Sequence, residues 1–316
     1  MWEGKEATIS VELERPPAES PRHRVALGLA RATRPAQWVK NLVVLAAPVF
    51  AMRFGVRSLL LVAGAFIAFT LVAGAAYLLN DVMDLEADQQ HPVKRHRPVA
   101  AGVVPVKAAL LTSAASAAAG ILLGVVVAPF LGLAIALYVV LQASYSLWLK
   151  REPVVDIMAL SAGFVLRALG GAAAARVPVS GWFLLCLWLL ALYLAIEKRK
   201  AELRTIPAPG STRAVLRAYS PSWLLRVQTA VTSTALISYA LWAIGRTILL
   251  MVTVPLVAYG LFKYELLAEQ NDAQVPERIV LRSPHLLVAT ALWLLLTVVI
   301  LLLSQQGHLP SQWITW

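Results

Sequence analysis

Long apolar runs separated by short polar connections make up most of this chain. Nine of them reach or approach the roughly 20 apolar residues with which a helix crosses a bilayer. They lie at about 37–54, 58–81, 107–127, 129–149, 154–175, 180–197, 227–244, 246–263 and 285–304. The first run is the weakest, because Lys40 and Asn41 enter it early. The pattern predicts an all-α integral membrane protein with nine transmembrane helices.

Composition supports this interpretation and narrows the class of partner. Of the 316 residues, 59% are hydrophobic and 14% are charged, and the mean hydropathy is +0.71. The net charge is +11, but the bases form short clusters between the apolar runs. We therefore expect membrane lipids with anionic headgroups and phosphorylated substrates as partners, and no nucleic acid. The single cysteine, Cys186, excludes a disulfide framework within the chain.

The polar segments predict the domain limits and the orientation. Residues 1–33 mix acids, bases and prolines without an apolar core, so we expect a flexible cytoplasmic tail and no cleaved signal peptide. Residues 34–306 would form the transmembrane domain, and residues 307–316 a short C-terminal tail. Because the even-numbered spans end in clusters of bases, the positive-inside rule places these ends in the cytoplasm together with the N-terminus.

An acidic stretch, residues 80–88 (NDVMDLEAD), closes the second apolar run. Its candidate residues are Asn80, Asp81, Asp84 and Asp88. In a helix, positions i, i+4 and i+8 share one face, so these like charges would repel each other unless a cation lies between them. Oxygen ligands of this kind suit Mg²⁺. Two bases just beyond, Lys94 and Arg95, would meet the rest of a phosphorylated ligand. The alternative is a solvated loop at the membrane interface.

A second polar stretch, residues 145–156, joins the fourth and fifth spans. Its candidate residues are Tyr145, Lys150, Arg151 and Asp156. Asp156 begins a span, where the helix dipole favours an acid, so a capping role is the alternative to a site. Arg167 favours a site, because it lies on the same helix face about 16 Å deeper, where an arginine should face a polar cavity. Snorkelling or a structural pair with another helix is the alternative for Arg167.

Two further stretches carry weaker candidates. At the entry to the first span, Lys40 and Asn41 can point into the bundle together. At the end of the sixth span, Lys198 and Arg199 follow Glu197 in a charge run. Such a run of charges most often lies in water and marks the end of a membrane span.

Together these residues resemble the UbiA-type intramembrane prenyltransferases. The acidic stretch matches their NDxxDxxxD motif, and the resemblance covers nearly the whole chain. It implies a bundle of nine transmembrane helices around a central cavity that opens to the membrane. The flanking residues are similar to one branch, the decaprenyl-phosphate phosphoribosyltransferases, over 34–41, 76–102, 145–156 and 163–171.

The resemblance to this branch implies a reaction and its residues. The donor would be 5-phosphoribosyl 1-diphosphate, and the acceptor a polyprenyl phosphate of the decaprenyl type. The product would lead to lipid-linked arabinofuranose for cell-envelope glycans at a bacterial-type inner membrane. Asp81, Asp84 and Asp88 would hold Mg²⁺ on the diphosphate, and Asp156 would stabilise the reacting ribose carbon. The substrate-binding candidates are Lys40, Asn41, Asn80, Lys94, Arg95, Tyr145, Lys150, Arg151, Arg167, Lys198 and Arg199.

The chain departs from the family pattern in two places. Prenyltransferases that use prenyl diphosphates usually carry a second aspartate-rich segment, which is reduced here to Asp156, with Leu160 where another aspartate would stand. This difference disfavours the main alternative, transfer of an isoprenoid chain to an aromatic acceptor. Glu197 replaces a residue that is commonly small in the phosphoribosyltransferases, so the roles of Lys198 and Arg199 stay open. A membrane transporter is the non-enzymatic alternative, and a homo-oligomer stays open as well.

Overall fold

The computed structural model describes residues 20–205, 214–270 and 276–306. Within these ranges the chain is helical and contains no strand. The α-helices are α1 (Pro21–Ala32), α2 (Ala46–Phe50), α3 (Val56–Met83), α4 (Leu85–Gln90), α5 (Val106–Val127), α6 (Pro129–Leu147), α7 (Val155–Ala175), α8 (Gly181–Thr205), α9 (Pro221–Ile244), α10 (Val254–Gln270), α11 (Pro276–Arg282) and α12 (Pro284–Gln305). Short 3-10 helices lie at Pro35–Leu45, Lys94–His96, Leu149–Arg151, Ala214–Ala218 and Ile248–Thr253. The all-α prediction is confirmed.

Eight of the described helical segments are long and apolar enough to cross a membrane. They are α3, α5, α6, α7, α8, α9, α12 and the segment 248–270 that α10 completes. The predicted first span differs, because residues 35–50 form a 3-10 helix followed by the short α2. Pro48 cannot donate a hydrogen bond to the Val44 carbonyl, so a continuous α-helix would lose a bond here. The count of nine spanning helices is therefore not confirmed.

The 3-10 helix Pro35–Leu45 nevertheless packs inside the bundle, against α3 and α7. A glycine permits this close approach, since a Cβ at Gly171 would lie 1.9 Å from the Val44 carbonyl oxygen. At the neighbouring Gly170, a Cβ would lie 2.5 Å from the ring of Phe69. Both glycines therefore allow close packing, as is common between membrane helices.

Ser–Pro pairs begin three helices, α1, α9 and α12. In each pair the serine hydroxyl accepts the N–H three residues on, and the proline occupies the first turn, where its missing N–H has no cost. Helix α1 thus occupies residues 21–32 of the segment that was expected to be a flexible tail. Residues 1–19 and the predicted C-terminal tail, 307–316, lie outside the described residues.

Helix α8 is longer than the sixth predicted span. It continues past residue 197 to Thr205. Glu197 and Arg199 are wholly buried, so the interpretation of this charge run as a solvated end of a span is wrong for these two residues. The helix can continue because other helices supply polar partners for the run, among them Gln228 of α9.

Apolar side chains cover the outward faces of the bundle. Leu60, Val126 and Phe130 are among the most exposed, which suits a surface that contacts lipid tails. The chain is a multi-pass membrane protein. Successive long helices pack side by side across short connections. The C-terminal ends of α3, α6 and α8 therefore meet the N-terminal ends of α7 and α9, and we call this end of the bundle the polar end.

Candidate active site

The acidic stretch turns from one helix into the next at the polar end. Asp81 lies in the last turn of α3, Asp84 stands between α3 and α4, and Asp88 lies on α4. The Asn80 side-chain amide donates to Asp84 Oδ2 at 3.0 Å. The expected contact between positions i and i+4 is therefore present. The stretch presents its carboxylates from a bend and not from one straight helix.

Basic side chains from three separate segments meet these carboxylates. Arg34 pairs with Asp81. Arg97 Nη1 lies 3.2 Å from Asp81 Oδ1 and 2.6 Å from Asp88 Oδ2. Lys150 Nζ lies 2.5 Å from Asp84 Oδ1, so the connection between α6 and α7 reaches the acidic stretch. Anions and cations are thus interleaved, an arrangement suited to a ligand that combines phosphate groups with a metal ion.

The carboxylates fit a magnesium ion that shares its ligands with a substrate. Among the described residues, no three side chains of His, Cys, Asp or Glu form a group that could hold a metal ion by themselves. Mg²⁺ does not require such a cage, because it is usually held by one or two carboxylates plus substrate phosphates and waters. The oxygen donors of Asp81, Asp84 and Asp88 have the right chemistry for that role.

The predicted bases Lys94 and Arg95 lie on a 3-10 helix next to the acidic stretch. The Lys94 backbone N–H donates to His91 Nδ1 at 3.3 Å, and Arg95 is exposed. Partial burial and the charge of Lys94 lower the pKa of His91. A neutral His91 can accept this bond and so shape the turn, and the positive charge of this segment is left to its lysine and arginines.

A second cluster surrounds Asp156 in the first turn of α7. Asp156 is wholly buried. Its Oδ2 accepts a hydrogen bond from Arg199 Nε at 2.7 Å, and its Oδ1 accepts one from the Tyr219 hydroxyl. Arg199 also donates to the Tyr145 hydroxyl at 3.3 Å and to Glu202 at 2.5 Å. The structure therefore brings three predicted residues together, Asp156, Tyr145 and Arg199.

Arg167 lies apart from Asp156, deep in the bundle. Its Nε donates to Asn41 Oδ1 at 2.8 Å, its Nη2 to the Tyr138 hydroxyl at 2.7 Å and its Nη1 to the Gly163 carbonyl at 2.9 Å. The predicted polar surroundings are present, and these bonds do not match snorkelling to an interface. They join α6, α7 and the 3-10 helix Pro35–Leu45, so Arg167 and Asn41 serve the packing of the bundle; contact with substrate stays a prediction.

Lys40 and Lys198 line an apolar cavity of about 340 Å³. Its walls come from the 3-10 helix Pro35–Leu45, α7, α8 and α11, with Leu160, Phe164 and Leu194 among the apolar residues. Its volume lies in the range of small-molecule sites. Arg151, the remaining candidate, is exposed in the connection between α6 and α7.

Sequence reasoning missed three residues that contact the predicted carboxylates. Arg34, Arg97 and Tyr219 are not among the candidates that the sequence indicates. Each lies 9 to 63 residues from the carboxylates it contacts, so no local spacing indicates the pairing. One sequence signal was available for Arg34, since it is the first residue of the segment 34–41, which resembles the family.

Comparison with known proteins defines the class. The model of the UbiA prenyltransferase family matches residues 41–283, and the chain therefore belongs to the UbiA prenyltransferase family. A UbiA homolog from Archaeoglobus fulgidus, solved with GPP and Mg²⁺, has the same fold, with a TM-score of 0.67, 17% identity and coverage of 87% of this chain and 99% of that one.

Within the family, the chain is similar to decaprenyl-phosphate phosphoribosyltransferases. It is 39% identical over 247 residues to the protein of that name from Mycolicibacterium smegmatis, covering 76% of this chain and 77% of that protein. The protein of the same name from Corynebacterium glutamicum is 42% identical over 228 residues, covering 70% of this chain and 69% of its own length. A third, from Mycobacterium tuberculosis, is 35% identical over 284 residues, 87% of this chain and 94% of that protein.

Proposed function

We propose that this chain transfers the 5-phosphoribosyl group of 5-phosphoribosyl 1-diphosphate to a polyprenyl phosphate of the decaprenyl type and releases diphosphate. The names of the relatives described above support this reaction class. The observation that carries the proposal is the convergence of Arg34, Arg97 and Lys150 on the acidic stretch. Cations of this kind beside a metal site suit a donor that carries both a diphosphate and a 5-phosphate.

Magnesium would be held by Asp81, Asp84 and Asp88 together with the diphosphate of the donor. When bound, the ion would neutralise negative charge that accumulates on the leaving diphosphate. Asn80 would orient Asp84 through its hydrogen bond of 3.0 Å. Arg34, Arg97 and Lys150 would contact phosphate oxygens, and Lys94, Arg95 and Arg151 would extend the positive charge toward the 5-phosphate.

Asp156 would act on the ribose. As the bond between ribose C1 and the diphosphate oxygen breaks, the leaving group keeps the electron pair and positive charge develops on the ribose. A fixed carboxylate nearby stabilises that charge without having to reorganise. Arg199 and Tyr145 would maintain its position, through the contacts described above. The lipid phosphate is already ionised, so its oxygen can attack C1 with inversion without a general base.

The apolar cavity would receive the acceptor. Its apolar walls suit an isoprenoid chain, and Lys40 and Lys198 suit the phosphate at the end of that chain. The clustered bases at the polar end support an orientation in which this end and the N-terminus face the cytoplasm. The product, a polyprenyl-phosphoryl 5-phosphoribose, would enter the synthesis of lipid-linked arabinofuranose.

The test is the transfer of radiolabel from 5-phosphoribosyl 1-diphosphate into organic-soluble lipid by purified protein with decaprenyl phosphate. We expect label in lipid that requires Mg²⁺ and falls at least about 100-fold in Asp84→Asn, which weakens the metal site. Glu86→Gln is the matched control, since Glu86 lies in the same stretch but is exposed, and it should retain wild-type transfer. No label in wild-type protein would refute the proposed donor.

A second candidate is transfer of a prenyl chain from a prenyl diphosphate to an aromatic acceptor. The apolar cavity beside two lysines favours it, because a prenyl diphosphate carries the same two chemical parts. Turnover of geranyl diphosphate with 4-hydroxybenzoate in the same preparation, without ribosyl transfer, would support this candidate and exclude the first.

A further inference from the structure

Tyr219 lies in the segment before α9 and forms hydrogen bonds to the start of α7, which is distant in sequence. Its phenolic oxygen accepts the Val154 backbone N–H at 2.7 Å, and its O–H donates to Asp156. Its ring stacks on Trp223 with the centroids 5.4 Å apart. Tyr219 and Asp156 are buried, so little water competes for the bond between them, and losing it would leave a buried carboxylate oxygen without this donor.

The backbone at Val154 is strained. Val154 has φ 67° and ψ −47°, and a β-branched residue with positive φ is an outlier that its surroundings must hold in place. This turn closes the connection that carries Lys150 to Asp84. It also begins α7, whose first turn contains Asp156. Relaxation of the turn would therefore shift Lys150 and Asp156 relative to each other.

The protonation of Tyr219 agrees with its role as a donor. Burial, followed by the hydrogen bond to Asp156, raises the pKa of the Tyr219 phenol. The hydroxyl therefore keeps its proton at neutral pH. It can donate a hydrogen bond to the carboxylate while its oxygen accepts one from the Val154 N–H.

We propose that Tyr219 is a positioning residue for the donor. It holds the strained turn at Val154 and the carboxylate of Asp156 in one arrangement, and so sets the separation between the Lys150–Asp84 pair and Asp156. The inference rests on the proposed function, which assigns the diphosphate to the first group and the ribose to the second. It affects the donor and not the acceptor, because neither Tyr219 nor the connection between α6 and α7 lines the apolar cavity.

The first test measures kcat and both KM values for full-length Tyr219→Phe, which keeps the ring and removes the hydroxyl. We expect kcat/KM for 5-phosphoribosyl 1-diphosphate to fall about 10- to 100-fold, the effect of losing a hydrogen bond to a charged group. KM for decaprenyl phosphate should stay within about twofold of the wild-type value, since that substrate is expected to bind at other residues. Adding Val154→Gly should restore part of the loss, because glycine adopts a positive φ without strain.

Tyr193→Phe is the matched control. Tyr193 is also buried, and its hydroxyl donates to the Leu261 carbonyl at 3.0 Å, outside the site. The Tyr193→Phe substitution should lower the thermal stability of the protein without changing KM for the donor. Equal kinetic losses in Tyr193→Phe and Tyr219→Phe, or wild-type parameters in Tyr219→Phe, would overturn the inference and leave the proposed function in place.

The second test needs no substrate. Trypsin cleavage after Lys150 and Arg151 in detergent reports opening of the connection that Tyr219 holds. We expect cleavage several-fold faster in Tyr219→Phe than in the wild type or Tyr193→Phe. If wild-type protein transfers no ribose, the proposed function fails alone, and this comparison still decides whether Tyr219 holds the connection: equal cleavage rates would refute it.

Discussion

The acidic stretch and the Asp156 cluster both pair carboxylates with bases, but they differ in exposure. At the acidic stretch, the side chains of Arg34, Arg97 and Asp84 are 28%, 26% and 27% exposed, whereas Asp81 and Asp88 are buried, so each ion pair has one partly exposed member. Asp156 and Arg199 are 0% exposed. Partly exposed pairs are weak and exchange partners easily, whereas a buried pair is held by the high cost of separating its charges. The first region is suited to exchanging its partners for a ligand, and the second to holding Asp156 in a fixed position.

This difference also separates the residues expected to move from those expected to stay. A phosphorylated donor can bind Arg34 and Arg97 from the solvent side, because water already reaches these two side chains. At Asp156 the partners come from α8 and from the segment before α9. Changing them would disturb the packing of three helices.

The largest effect should follow from breaking the buried pair. Arg199→Met leaves Asp156 buried without its cationic partner, and we expect the free energy of unfolding to fall by about 3–5 kcal/mol. Thermal unfolding in detergent measures the loss. Arg204→Met, on the same helix, is the control, because Arg204 is exposed and donates to carbonyls of α10. Wild-type stability in Arg199→Met would remove the contrast between the two regions.

At the acidic stretch a smaller effect is expected, mainly on KM for the donor and less on stability. Arg34→Met leaves the buried Asp81 with Arg97 as a remaining cationic partner, so the free energy of unfolding should fall by less than in Arg199→Met. KM for 5-phosphoribosyl 1-diphosphate should rise about tenfold, because a charge-assisted bond to phosphate is lost. Arg31→Met, an exposed arginine on α1, should change neither value. If Arg34→Met destabilises the protein as much as Arg199→Met, the acidic stretch is structural as well.

The smallest effect concerns the apolar cavity, which extends the comparison to a third region. Lys198→Ala should raise KM for decaprenyl phosphate about fivefold while KM for the donor stays constant, since a single exposed or half-exposed charge contact contributes about 1 kcal/mol. Lys107→Ala, an exposed lysine on α5, is the control. A rise in donor KM instead would place Lys198 with the phosphates of the donor.

Local sequence signals predicted the parts of this molecule that depend on neighbouring residues. The contact between Asn80 and Asp84 follows from two positions four residues apart on a helix. The site was predicted incompletely. Asp156 and Arg199 were both selected, but their pairing was not, because it joins residues 43 apart on two helices.

The charge run at 197–200 shows why the remainder required a structure. Its composition is typical of a solvated end of a span, yet Glu197 and Arg199 are buried. Their burial is tolerated because Gln228 of α9 and Asp156 of α7 lie opposite them, and a charge can leave water only where such partners exist.

Apolar periodicity and the local spacing of acids were sufficient to predict an all-α membrane protein with an acidic stretch at the end of a span, because lipid and helix geometry act on each segment separately. Tertiary structure alone decided that the first predicted span is a 3-10 helix followed by the short α2. It also decided that Arg34 and Arg97 pair with the acids and that Tyr219 bonds to Asp156. These contacts depend on which helix ends meet, and that is determined by packing between segments far apart in the chain.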